Sequence, residues 1–163
     1  SDRIYGGSPN PTTLLGLRSE LTYKKWSFIV NGYGMYGHKI YNNTANATVG
    51  LGNLGKGNVD RRFIGTGEAV GNAPSASSRY IEKGDFFRLA NATLSYDLGN
   101  VGETLKGVNL FVTGNNLFVI TKYTGFDPEV NTNKQIDGVA SQRIEYTPYP
   151  SSRSFQVGFR VSF

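Results

Sequence analysis

Few residue groupings in this chain could do chemistry, and each lacks a part that its chemistry needs. Gly50-Leu51-Gly52-Asn53-Leu54-Gly55 matches G-x-G-x-x-G, and Gly50 to Lys56 nearly matches a phosphate-binding P-loop. A dinucleotide fingerprint needs a strand before it and a helix after it, and a P-loop needs Ser or Thr after its lysine, where Gly57 stands. A flexible glycine loop is the expectation. Asp127, Glu129, Asn131 and Asn133 carry oxygens at alternate positions, as a calcium loop does, but Thr132 replaces the turn glycine and Gly138 the bidentate glutamate. That excludes an EF-hand and favours a solvated loop. His38 is the single histidine, with no second metal ligand at a recognisable spacing and no Ser and Asp set for a triad, so a surface imidazole is expected. With no cysteine there is no disulfide, thiolate nucleophile or Cys-bound metal. The residues predict no enzyme, cofactor or metal.

Binding chemistry is better supplied. The chain carries 17 Lys and Arg against 12 Asp and Glu. Its basic residues are scattered apart from Lys24-Lys25 and Arg61-Arg62, which argues against a nucleic-acid stripe. Tyr41, Tyr80, Tyr123 and Tyr149 stand in loop-like sequence, where a ring could stack on a sugar or pack against a lid. Asn42, Asn46 and Asn91 open N-x-T sequons, which follow from the abundance of Asn and Thr.

The elements that must position these residues are strands. Twenty-one glycines, ten tyrosines and ten phenylalanines against one Met favour strands and turns over helices. Phe155, Val157, Phe159, Val161 and Phe163 alternate with Ser154, Gln156, Gly158, Arg160 and Ser162, a period of two that excludes a helix and gives one oily and one wet side. A chain ending on an aromatic resembles the closing strand of an outer-membrane β-barrel, where that residue is an assembly signal. Residues 13–23 place Leu15, Leu17, Leu21 and Tyr23 on one parity and Arg18 and Glu20 on the other. Residues 26–36 place Trp26, Phe28 and Val30 opposite Asn31 and Tyr33. Tyr23 and Trp26 flank a lysine pair at a tight turn, as aromatics do at a membrane interface.

Strands are also predicted over 86–96, 108–120 and 153–163. Arg88 shares the parity of Ala90, Ala92, Leu94 and Tyr96, so it must sit at a headgroup rim, or a bulge must change the phase; Leu89, Asn91, Thr93 and Ser95 take the other face. Gly114-Asn115-Asn116 interrupts the alternation of the next strand and points to a bulge or a close backbone approach. Connections after Tyr23 and Tyr96 are short, and those after Tyr36 and Ile120 are long. Barrels of the outer membrane have short periplasmic turns and long outer loops, so the long connections belong on one side. About 11 residues tilted by about 45° match an apolar band about 25 Å tall. Arg18, Glu20, Asn31, Tyr33, Gln156 and Arg160 would then face a lumen, bonding one another or a plug in preference to substrate. Phe155, Val157, Phe159, Val161 and Phe163 would meet lipid.

Longer stretches resemble a known family. Arg79-Tyr80-Ile81-Glu82-Lys83-Gly84-Asp85-Phe86-Phe87-Arg88-Leu89-Ala90-Asn91-Ala92-Thr93-Leu94-Ser95-Tyr96 is similar to the segment before the last hairpin of SusC-like (RagA-type) TonB-dependent outer-membrane transporters. Asn109 to Phe118 and Thr121-Lys122-Tyr123-Thr124-Gly125-Phe126-Asp127-Pro128-Glu129-Val130 resemble that family's next strand and loop, and Pro148-Tyr149-Pro150 through Phe163 resembles its C-terminal end. Ile4-Tyr5-Gly6 and Lys39-Ile40-Tyr41-Asn42 are similar less specifically. The resemblance implies the last five strands of a 22-stranded antiparallel transmembrane β-barrel, with two long extracellular loops, in a bacterial outer membrane. It implies import of oligosaccharides or peptides, driven by TonB through an N-terminal part with plug and TonB box that these residues lack. A SusD-like lipoprotein would be the lid, and the chain would be a piece of a larger protein. The alternative is a non-transporting β-rich surface adhesin or carbohydrate-binding module.

Overall fold

A computed structural model describes residues 4–67, 69–71, 76–130, 135–136 and 139–162. Phe163, Asn131, Asn133 and Gly138 lie outside the described residues. In chain order the elements are β1 (Thr13–Tyr23), β2 (Trp26–Tyr36), β3 (Lys39–Asn42), α1 (Asn43–Thr48), β4 (Ile81–Lys83), β5 (Phe86–Val101), β6 (Leu105–Thr121), β7 (Gln135–Ile136), β8 (Val139–Ala140), β9 (Ile144–Glu145) and β10 (Ser154–Ser162). The strands pair mostly antiparallel, with little helix among the described residues, and the chain divides into two compact units.

The first unit, residues 13–35, 86–121 and 151–163, is one five-stranded meander in the order β1-β2-β5-β6-β10. Lys24 takes a φ of 53° in the two-residue turn between β1 and β2, the positive φ that lets such a turn follow the twist of its strands. β5 and β6 run further than the 86–96 and 108–120 expected from sequence. Their pairing continues to Val101 opposite Leu105, through register shifts at Asp97/Gly99 and Gly99/Val101. Gly99 on β5 and Gly107 on β6, at φ 74° and 63°, stand at those irregularities in conformations that a side chain would strain. At the other end Met35 stands opposite Phe86, and Phe86 opposite Thr121, so both long connections leave from one end of the sheet. β1 and β10 are the edges of the sheet, each paired along one side only.

The second unit, residues 1–12, 36–85 and 122–150, corresponds to the segments expected to be plain loops. It has its own order. β3 pairs antiparallel with β4 and parallel with β9, which joins residues about a hundred positions apart in a three-stranded sheet. Asn42, which the sequence marks only as a sequon, is the cap of α1: its Oδ1 accepts from Ala45 N at 2.9 Å. The Gly50–Gly55 stretch forms a 3₁₀ turn over Leu51–Asn53, with neither the strand before it nor the helix after it that a nucleotide loop requires.

Candidate functional site

Directly opposed residues in a sheet share a face, so the registers of the meander can be read as rows. Trp26, Tyr96, Leu110 and Phe159 form one; Phe28, Leu94, Val112 and Val157 the next; Val30, Ala92, Gly114 and Phe155 the third. Each row is apolar across four strands. Phe155, Val157 and Phe159 are 68%, 80% and 72% exposed, so they do not enter a core of this segment. The Trp26 and Tyr96 rings pack 4.7 Å apart at the turn end, beside Tyr23 with the Lys24 ammonium over its ring. That places an aromatic and cationic rim at one border of the apolar array.

A β-bulge decides the far half of this face. Asn31 pairs with Asn91 and Gly32 with Leu89, which leaves Ala90 over on β5; β6 carries Asn116 and Leu117 in excess at the same level. Beyond the bulge the phase changes. Leu89 joins Gly32 and Phe118 on the apolar face, and Arg88 joins Tyr33 on the polar one, so the simple parity that put Leu89 with Asn91 is corrected. Arg88 is buried there, its guanidinium donating to Asn116 Oδ1. Asn116 can turn its side chain inward because its backbone takes φ 51°, a left-handed state that Asn tolerates better than most residues.

The opposite face carries a polar belt that crosses all five strands. Arg18 Nη1 on β1 donates to Asn31 Oδ1 on β2 at 3.4 Å, and Asn31 Nδ2 donates to Asn91 Oδ1 on β5 at 2.8 Å. Asn91 stands opposite Asn115 of β6, whose Nδ2 donates to Ser154 Oγ on β10 at 3.4 Å. The Thr93 and Thr113 hydroxyls, 2.8 Å apart, tie β5 to β6 one row away. Arg18 also contacts Glu20 at 3.4 Å, an exposed pair worth little by itself. Gln156 lies opposite Thr113 and Arg160 opposite Asn109 on this same face. Sequence alone points to Arg18, Glu20, Asn31, Tyr33, Gln156 and Arg160; it puts Ser154 on the wet side and Asn91 on the face opposite Ala92 without singling them out, and it does not pick out Asn115. The signal is there in part: Asn91 sits mid-strand among small apolar residues, where an unpaired amide would be costly.

The second unit brings together residues that no local pattern connects. Glu82 of β4 is satisfied on both oxygens: Oε1 accepts from Asn42 Nδ2 at 3.0 Å and Thr124 Oγ1 at 2.7 Å, and Oε2 from Thr124 N at 2.9 Å. Glu145 of β9 accepts on Oε2 from the Tyr123 hydroxyl at 2.6 Å and Phe126 N at 3.0 Å. Burial, then the bond to Glu145, push the Tyr123 phenol far above its ordinary range. Tyr123 and Tyr80 are buried rings in this structure, with no open face for a sugar or a lid. Tyr41 is half-buried, and Tyr149, 95% exposed, is the one of the four with an open face. His38 is 1% exposed and is no surface imidazole. It lies against Gly84, where a Cβ would collide with its ring, and burial holds its pKa below the ordinary value, helped by Arg143 and opposed by Asp85.

An open antiparallel sheet, apolar across one face and polar across the other, has the two-sidedness of a membrane-spanning β-barrel wall. No family model matches the chain. TonB-dependent receptor P3 of Formosa agariphila is 30% identical over 176 residues, covering 100% of this chain and 17% of its own length. TonB-dependent receptor SusC of Bacteroides thetaiotaomicron is 27% identical over 187 residues, covering 99% and 16%. Among solved structures, the RagAB peptide importer in its open-open state superposes with a TM-score of 0.79 at 26% identity, over 96% of this chain and 18% of that one. The chain thus corresponds to a C-terminal segment of the barrel of a SusC-like TonB-dependent receptor. It spans about a sixth of the length of the curated relatives it matches.

Proposed function

We propose that the chain forms part of an active importer in a bacterial outer membrane, which takes up large nutrients, oligosaccharides or peptides, with energy delivered through TonB. The apolar rows meet lipid, the polar belt lines the lumen, and the two long connections are extracellular, with a SusD-like lipoprotein as the partner there. The observation that carries this reading is the one-sidedness of the meander. Three consecutive rows across β2, β5, β6 and β10 expose only apolar groups on one face, while Arg18 and Glu20, tied to Asn31, and Arg88 and Arg160 fall on the other. A lipid-facing charge at mid-depth costs about 2–4 kcal/mol, so four charges on one side are what a bilayer selects.

The lumen side has the complementary property. Its belt satisfies amides and hydroxyls across strands, which stiffens the wall and leaves a wetted surface to a plug or to passing cargo. The test is uptake by cells that carry the full-length receptor. Deleting the receptor, or deleting TonB, should each abolish accumulation of the same labelled oligosaccharide or peptide; uptake that survives both deletions overturns the proposal.

A further inference from the structure

Glu145 has 0% exposure, and only half of its carboxylate is used. Oε2 accepts from Tyr123 and Phe126, while Oε1 has no hydrogen-bond partner among the described residues. A buried carboxylate oxygen left without a donor is unfavourable enough to call for a missing group. Glu145 is one of the residues around a cavity of about 260 Å³ in the second unit. Asn42, Thr44 and Thr124 supply polar wall, and Ala45, Val49 and Phe126 supply apolar wall. Asp60 and Arg62 border it and neutralise each other through a contact of 2.6 Å. With two carboxylates and one guanidinium on the lining, one negative charge remains over.

We propose that this cavity receives a single alkylammonium group of the cargo, whose N–H donors complete Glu145 Oε1 while its carbon chain lies against Ala45, Val49 and Phe126. An anion is disfavoured by the residual negative charge. A divalent cation is disfavoured because no group of three acidic or His side chains converges among the described residues, and one unused carboxylate oxygen is a poor cage for it. A monocation with an apolar stem fits both charge and wall. Phe126, more than half exposed, forms the outer part of that apolar wall. Peptides present such a group at their N-terminus and on lysine, and amino sugars present one on the ring. The word cargo rests on the import reading above; binding of an amine does not.

The experiment is calorimetric titration of the full-length receptor in detergent micelles with trialanine, Nα-acetyl-lysine amide and glucosamine, and with N-acetyl-trialanine as the neutral control. At least one of the three amines should bind saturably and tell which source is used, and its N-acetylated counterpart should bind at least tenfold more weakly. Glu145→Gln, which keeps an acceptor for Tyr123, should weaken binding at least tenfold. Val49→Phe, which narrows the cavity without touching the carboxylate, should do the same and decides the matter if Glu145→Gln misfolds. No binding by any amine, equal binding of free and acetylated probes, or unchanged affinity in Val49→Phe overturns the proposal. Micelle binding is read without TonB, so import that persists while no amine binds refutes the ammonium site alone, and amine binding by a receptor that imports nothing refutes the import reading alone.

Discussion

An arginine walked along β10 of the full-length receptor tests the facing of the sheet row by row. Phe159 stands level with Trp26 and Tyr96 at the rim, Val157 one row further and Phe155 two rows further. Two residues rise about 7 Å along a strand, and a tilt of about 45° turns that into about 5 Å of depth. Phe155 is therefore about 10 Å beyond the rim, close to the centre of a band about 25 Å tall. An arginine costs about 2–4 kcal/mol at the midplane and about 0–1 kcal/mol at the interface. Phe155→Arg should then destabilise by about 2–4 kcal/mol, Val157→Arg by about 1–2 kcal/mol and Phe159→Arg by about 0–1 kcal/mol. Gln156→Arg, on the polar face, should stay within about 0.5 kcal/mol. Phe155 carries one complication: its ring lies over Gly114, about 3.2 Å from where a Cβ would be, so Phe155→Ala is needed to separate lost packing from added charge. Guanidinium unfolding of the receptor in lipid vesicles reads these differences from the shift in midpoint. A Gln156→Arg cost equal to that of Phe155→Arg, or a cost greatest at Phe159, refutes the facing.

Asn91→Leu removes the centre of the belt and strands the Asn31 amide, so it should cost about 1–3 kcal/mol in the same unfolding assay, more than Ser154→Ala at the exposed edge. Tyr123→Phe deletes the 2.6 Å bond to Glu145 and should cost about 1.5–3 kcal/mol, seen as faster amide exchange at Phe126, which shares that carboxylate oxygen. His38 gives a pH dependence with a definite sign. Its folded pKa lies below the ordinary 6.5, so the unfolded chain takes up a proton that the folded chain refuses. Stability is whole above pH 6.5 and is lost as pH falls below it; His38→Asn should flatten that slope in thermal unfolding between about pH 7.5 and about pH 5. Gly84→Ala, whose Cβ would strike the His38 ring and stand 2.9 Å from Ile40 Cδ1, should destabilise the three-stranded sheet of the second unit by about 1–3 kcal/mol, measured by its unfolding midpoint.

Side-chain alternation is a local property, and it is legible wherever the strands are regular. From Leu15 to Val30 and from Phe155 to Val161 the order of residues alone separates an oily face from a wet one, because a strand turns every second side chain the same way. The antiparallel meander and the grouping of both long connections at one end follow from those lengths. Arg88 marks where this stops. Sequence leaves a rim position and a bulge both open; pairing with two neighbours selects the bulge, since Ala90 has no partner in either register. The belt is likewise a property of pairing, for Arg18, Asn31, Asn91, Asn115 and Ser154 are each ordinary until five strands set them in line. The second unit is the least legible. Glu145, Tyr123 and Glu82 carry no period or motif, and their meeting depends on β9 lying parallel to β3, a contact between distant stretches that only the folded chain creates. What the sequence determined, then, is which side of each strand faces oil, since that needs only neighbouring residues. What tertiary structure decided is which polar groups are buried together, because that needs partners brought from far along the chain.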